Sequence, residues 1–344
     1  MERFNYFVRR ILLVIPTFLG ITVLCFTVCQ FVPGGPVEQA IAQMRGAGGR
    51  GGMASATMSA SQIEAIKKHY GFDQPIPVRY WRWLGPGRMG LALDSFRYTH
   101  KTVWQLIAER FPISLTFGIS GFVLTYLICV PLGIAKALRN GAAFDVSTSV
   151  VVFVLYAIPA FAFGMLLKIF FAGTVDGFWT LFPIGGFRSE NWEQLGFLDR
   201  VKDQALHMFL PVLCYVIGNF AILTLLMKNS LLEQIGQDYV RTVLAKGGTM
   251  QRAVWLHALR NALIPIATGI GGILSIMFAG SVLIERVFAI PGIGMLSLDA
   301  IITRDYTVFM GVIALQSLVY LAGRILSDFC YVLIDPRINF AGEA

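Results

Sequence analysis

Six apolar runs, each about 20 residues or longer, constrain this chain more than anything else in it. They lie near 9–32, 112–136, 147–172, 206–228, 262–284 and 308–334. A run of that length matches the hydrocarbon thickness of a bilayer when it is helical, because every backbone polar group is then satisfied within the run. Composition agrees. The chain is 56% hydrophobic and only 14% charged, with mean hydropathy +0.67. A water-soluble domain of 344 residues carries a smaller apolar share. The reading is an all-α membrane protein with six transmembrane helices, 1–344 forming a single transmembrane domain.

The net charge of +8 does not point to nucleic acid. Basic residues beside membrane spans set orientation and meet anionic lipid heads, so membrane lipids are the expected charged partner. Lys136 and Arg139 follow the second run. Lys228, Arg241, Lys246, Arg252 and Arg260 lie between the fourth and fifth. The opposite loops mix Arg188, Arg200, Lys202, Arg286 and Arg304 with acids. This bias predicts a multi-pass protein with cytoplasmic N- and C-termini. The first run follows Arg9-Arg10, is too long for a signal h-region, and has no small-x-small cleavage site after it, so it reads as an uncleaved anchor.

The segment 33–105 reads as an extracytoplasmic insert between the first two helices. Pro33-Gly34-Gly35-Pro36 stops the first helix. Gly46 to Ser61 is rich in Gly, Ala, Ser and Met and reads as flexible. Ser61 and Glu64 form a capping-box pattern that opens a short helix toward His69. Tyr80, Trp81 and Trp83 suit a membrane interface.

Enzyme chemistry has no foothold. The sequence lacks a Walker A phosphate loop and a Gly-x-Ser-x-Gly elbow. Its four histidines show no metal-ligand spacing, and its five cysteines all sit in apolar runs, so no catalytic residue, metal site or cofactor is assigned. Ionisable groups within the runs are few. Lys168 reads as a snorkelling side chain. Arg324 and Asp328 are four apart and read as a satisfied intramembrane pair, with a place on a substrate path as the alternative.

The polar stretch Asp238–Pro265 is different in kind. It is a basic, glycine-hinged segment between two apolar runs. An amphipathic helix pattern leads to Gly247-Gly248, which end it, and Thr249 then caps a second short helix toward Asn261. Residues 229–261 therefore read as a helix–turn–helix knuckle on the cytoplasmic side. An amphipathic loop lying on the membrane surface is the bland alternative.

These residues resemble the EAA loop of ABC-importer permeases of the oligopeptide, dipeptide and nickel family. The pattern Arg-Thr-Ala-x-Ala-Lys-Gly is met at Arg241, Thr242, Ala245, Lys246 and Gly247, with Asp238 opening the same helix, and His257 through Pro265 matches throughout. Val243 replaces the usual Ala, and Gly248 stands where a larger residue often follows the glycine. Arg9-Arg10 with Ile15-Pro16-Thr17, Asp73 to Tyr80, Glu285 to Phe288 with Pro291 to Gly294, Arg304-Asp305-Tyr306 and Asp335 to Ile338 extend the resemblance over nearly the whole chain. The family's Gly-Asp-Leu-Gly turn is not evident near Gly87 to Leu91. Pro33 to Ile41 resembles the subset that imports oligopeptides and the peptide–nucleotide antibiotic microcin C.

The resemblance implies a type I ABC-importer permease fold with five core helices and one extra N-terminal helix. It implies a second homologous permease subunit and two ABC ATPase subunits or one tandem ATPase, which bind the ATP. It also implies a periplasmic peptide-binding protein and a peptide substrate. The other classes consistent with six spans are a self-sufficient ion-coupled carrier or channel and a membrane scaffold. The scarcity of intramembrane acids counts against the carrier.

Overall fold

A computed structural model describes residues 2–31, 64, 68, 73–98, 100–175, 177–269 and 281–334. Among them the chain is helical without strands, apart from isolated bridges at Asp94–Thr102 and Ala172–Thr180. The helices are α1 (Glu2–Phe31), α2 (Ile76–Leu84), α3 (Val103–Leu138), α4 (Ala143–Ala157), α5 (Ala160–Phe171), α6 (Phe197–Ile235), α7 (Asp238–Ala245), α8 (Met250–Ala253), α9 (Leu259–Ala262), α10 (Ile264–Thr268), α11 (Val282–Val287), α12 (Ile293–Ile302) and α13 (Tyr306–Ile334).

Among the described residues four helices are long and apolar enough to cross a bilayer: Tyr6–Phe31, Val103–Leu138, Phe197–Ile235 and Tyr306–Phe329. Helices α4 and α5, joined at a 95° bend, are long and apolar enough only when taken together, as a broken span or a re-entrant loop. The expected fifth run, 262–284, lies partly outside the described residues, as do the Gly-rich segment 46–61 and the motif at 335–338. The helix expected from Ser61 toward His69 is described only at Glu64 and Lys68, both helical.

The bend in the third run was not expected. It falls at Ile158-Pro159, where Ile158 is extended (φ −91°, ψ 121°) because a following proline disfavours helical backbone. Pro16, Pro112, Pro131 and Pro211 are absorbed inside helices without a break. The α6 helix overshoots its predicted span. At 39 residues it is about 58 Å long, nearly twice the hydrocarbon thickness, so it carries the chain well beyond the membrane.

The chain divides into two compact units. One comprises 8–111 and 295–319 and contains the insert. There, α2 turns Tyr80 and Trp83 inward, i and i+3 on one face. The Tyr80 hydroxyl lies 2.9 Å from Thr22 Oγ1, and both rings pack on Phe26. Trp83 is buried and only Trp81 is exposed, so one of the three aromatics, not all, is available to an interface. The chain then wraps Trp83 through Arg88, Met89 and Gly90, three successive left-handed residues. A Cβ on Gly90 would sit 2.3 Å from the indole nitrogen. Asp305 ties this insert down. Its carboxylate accepts from Ser95 Oγ (2.5 Å), Arg97 N (3.2 Å), Thr307 Oγ1 (2.7 Å) and Val308 N (3.2 Å).

The other unit comprises 1–7, 112–294 and 320–344. Helices α3 and α6 approach closely where glycines face larger side chains. A Cβ on Gly133 would meet Met227 at 2.6 Å, and one on Gly121 would meet Tyr215 at 3.0 Å. Two buried cores result. One gathers Phe117, Leu210, Cys214 and Phe288. The other gathers Ala137, Met227, Leu231, Val240, Val254 and Ala258, and it underlies the knuckle.

Candidate functional site

The knuckle begins where α6 ends. Gly236 N bonds back to Leu232 O (3.3 Å), and one residue later α7 starts at Asp238. On α7 the positions divide cleanly. Val240 is buried and Tyr239 and Val243 are half-buried, facing the core. Asp238, Arg241, Thr242 and Ala245 recur at i, i+3, i+4 and i+7, so they share the opposite face, and all four are exposed. The Thr242 hydroxyl donates to Asp238 O within the helix (2.9 Å). Arg241 and Asp238 stand 3.5 Å apart with both side chains largely in solvent, a pairing of little energetic weight. These charges are presented outward and not spent on the fold.

The turn that follows is built by backbone geometry. Gly247 N bonds to Leu244 O (2.9 Å) and Gly248 N to Val243 O (3.0 Å), with Gly247 at φ +83°. This pair of bonds is the Schellman closure, which places its left-handed residue just past the helix end. An added Cβ on Gly247 would touch nothing, so only the backbone demands glycine there. Gly248 is constrained differently. Its Cβ would meet Val243 Cγ1 at 2.7 Å and Val243 O at 2.8 Å. Lys246 lies at the turn with its side chain exposed.

Thr249 caps the next helix by accepting from Arg252 N (3.3 Å). Residues Val254–Ala258 then form a π-turn between α8 and α9. Ala253, Val254, Ala258 and Ala262 are fully buried, whereas Trp255, Leu256 and His257 are exposed. Small residues on the inner side let this arm lie close to α6. Ala262, the last residue of α9, has an orphan carbonyl that accepts from Ser230 Oγ (2.8 Å). Ile266 O accepts from the Tyr126 hydroxyl (3.1 Å), and Asn261 Nδ2 donates to Tyr239 OH (3.4 Å). The result is a rigid end seated on α3 and α6. Its exposed rim combines Arg241, Lys246, Arg252 and Arg260 with Leu244, Met250, Trp255 and Leu256. Arginine, methionine and aromatic side chains around an apolar centre are the composition of a protein-binding surface.

Of the ionisable residues within the spans, Arg324 is exposed on α13, and Asp328 is half-buried and has a partner. Lys168 does not snorkel. Its ammonium turns inward to donate to Val287 O (2.7 Å) and lies 5.8 Å from the centre of the Phe288 ring.

Residues 129–340, which include the whole knuckle, match the family described as binding-protein-dependent transport system inner membrane component. The chain belongs to this family. Similarity extends over full length. The inner membrane ABC transporter permease protein YejB of Escherichia coli O157:H7 is 39% identical, covering 98% of this chain and 99% of the relative. The oligopeptide transport system permease protein AppB of Bacillus subtilis is 32% identical, covering 97% and 99%. The dipeptide transport system permease protein DppB of Escherichia coli K12 is 30% identical, covering 97% and 98%. The chain is therefore an ABC permease component of the inner membrane, with the type I permease fold, and the family works with ATPase and substrate-binding subunits.

Two features of the site escaped sequence reasoning. The π-turn has no residue signature, and the inward course of Lys168 depends on α11, far away in sequence.

Proposed function

We propose that this chain is one of two homologous permease subunits that together form a peptide pathway, driven by ATP that separate subunits bind and hydrolyse. The observation that carries this reading is the knuckle: an exposed Asp238–Arg241–Thr242–Ala245 face, ended at Gly247 and rimmed by Leu244, Met250, Trp255 and Leu256, on a rigid base fastened to α3 and α6. Among the described residues the polar groups of that face bond only to one another, so an external partner is their natural use. An ATPase dimer closing beneath the membrane would push on 229–261 and move the attached spans. Alternating access follows, shifted only as far as each partner prefers one state.

The substrate class rests on the relatives. The names of AppB and DppB specify oligopeptides and dipeptides, and that of the Agrobacterium fabrum YejB relative, 36% identical, specifies peptidoglycan transport. A peptide or peptide-like cargo is common to all three. Within that class we favour oligopeptides and modified peptides of the microcin C kind, delivered by a periplasmic peptide-binding protein. The chain itself performs no catalysis in this scheme.

Mass spectrometry of the assembly extracted in mild detergent tests it. A second permease and one or two ATPase chains in fixed ratio are expected. Recovery of this chain alone, monodisperse and active in liposomes, would replace the proposal with a self-sufficient carrier.

A further inference from the structure

Lys136 and Lys228 count as flanking cations in the sequence, yet neither faces the lipid heads. The Lys136 side chain is fully buried and that of Lys228 is 14% exposed. Both converge on one carboxylate. Lys136 Nζ lies 3.0 Å from Asp145 Oδ1 and also donates to Asp145 O (2.9 Å), Thr148 Oγ1 (2.9 Å) and Ser149 Oγ (2.8 Å). Lys228 Nζ contacts both Asp145 oxygens, at 2.9 and 2.7 Å. Gly141 N closes the shell on Oδ2 at 3.0 Å. Three charges and their partners thus tie the end of α3, the start of α4 and the inner half of α6.

Burying charge is costly, and an apolar cluster of equal volume would hold three helices together as well or better. What directional bonds add is register. Their location says which register is held. Ala137 and Met227, the chain neighbours of Lys136 and Lys228, both belong to the core beneath the knuckle. Asp145, by contrast, opens the bent α4–α5 arm. At the other end of that arm, Gly164 packs on Phe288 and Lys168 is bonded to Val287 O. One continuous set of contacts therefore runs from the knuckle core through Asp145, along the arm, to the turn after α11.

We propose that Lys136, Asp145 and Lys228 form a force-transmitting joint through which the knuckle moves the α4–α5 arm, in addition to the spans to which it is joined by chain. Asp145 is a positioning residue in this scheme. The proposal rests on the import reading above. Its charge balance makes a specific demand. Asp145→Asn leaves two ammonium groups, one fully buried, facing each other without an anion. Lys228→Met leaves a neutral, fully bonded Lys136–Asp145 pair. Adding Lys136→Met to Asp145→Asn removes the stranded cation.

The test uses the whole importer in sealed proteoliposomes, with peptide uptake and ATP hydrolysis measured together and spin labels at Ala142 and Gln251, exposed sites before α4 and in the knuckle. In the otherwise native chain the distance between labels is expected to be the same with and without bound nucleotide. Asp145→Asn should make it nucleotide-dependent and abolish uptake while hydrolysis continues. Lys136→Met should restore coupling to Asp145→Asn, and Lys228→Met alone should remain coupled. A label distance that changes with nucleotide in the native joint overturns the proposal and needs no Asp145 variant. So does full coupling in Asp145→Asn, or absence of rescue. Failure of the import reading looks different: the unmutated complex would then show no peptide-dependent hydrolysis at all.

Discussion

The insert and the knuckle are both short helices ended by left-handed turns, but they are secured in different ways. The insert is held at a buried carboxylate. Asp305 collects four donors, and Trp83 is buried beneath a turn in which Arg88 and Met89 adopt positive φ without being glycine. The knuckle secures itself with alanines, a Schellman turn and a few side-chain bonds to carbonyls, and leaves its charges outside. The buried Asp305 cluster fixes the insert in place, whereas the knuckle has an apolar base and an exposed charged rim equipped to bind.

The contrast is most easily broken at its strongest point. Asp305→Ala strands four donors, two of them backbone amides, and should destabilise the insert by about 3 kcal/mol. Thermal unfolding in detergent, followed by the fluorescence of Trp81 and Trp83 in a chain whose Trp104, Trp179, Trp192 and Trp255 are replaced by Phe, reads this directly. No comparable loss is expected from removing any single exposed charge of the knuckle.

The next effect sharpens the account of the turn. Gly248→Ala forces a Cβ into Val243 and should cost about 1–3 kcal/mol, the range for overpacking. Val243→Ala in the same chain removes the Cγ1 contact but not the carbonyl contact, so it should recover part of that loss and no more. A double-mutant cycle on melting temperature measures the coupling. Val243 and Gly248, both departures from the pattern of the loop, are thus in direct steric contact.

The smallest effect belongs to the cap. Thr249→Ala should lower stability by about 1 kcal/mol, whereas Thr249→Asn should be nearly silent, since either side-chain oxygen can accept from Arg252 N. Calorimetry of the two variants distinguishes them.

Much of the knuckle was legible because its devices have residue signatures. Gly247 stands where a helix needs φ > 0, and Thr249 where a helix needs a side-chain acceptor. Spacing alone placed Asp238, Arg241, Thr242 and Ala245 on one face. The insert turn was illegible for the converse reason: Arg88 and Met89 carry no mark of left-handed backbone. Prolines were ambiguous, since Pro159 breaks a span while Pro131 and Pro211 are accommodated, and helix neighbours decide between the outcomes. Lys136 and Lys228 were misjudged because a cation at the end of an apolar run looks the same whether it meets a lipid head or a buried Asp145.

The most direct test of the knuckle as a coupling element is Gly247→Val in the assembled importer. A β-branched residue at φ +83° strains the turn, yet its Cβ meets no neighbour, so insertion and assembly should survive. The expected result is ATP hydrolysis without peptide uptake. Normal uptake per ATP hydrolysed in that variant would show that force does not pass through this turn.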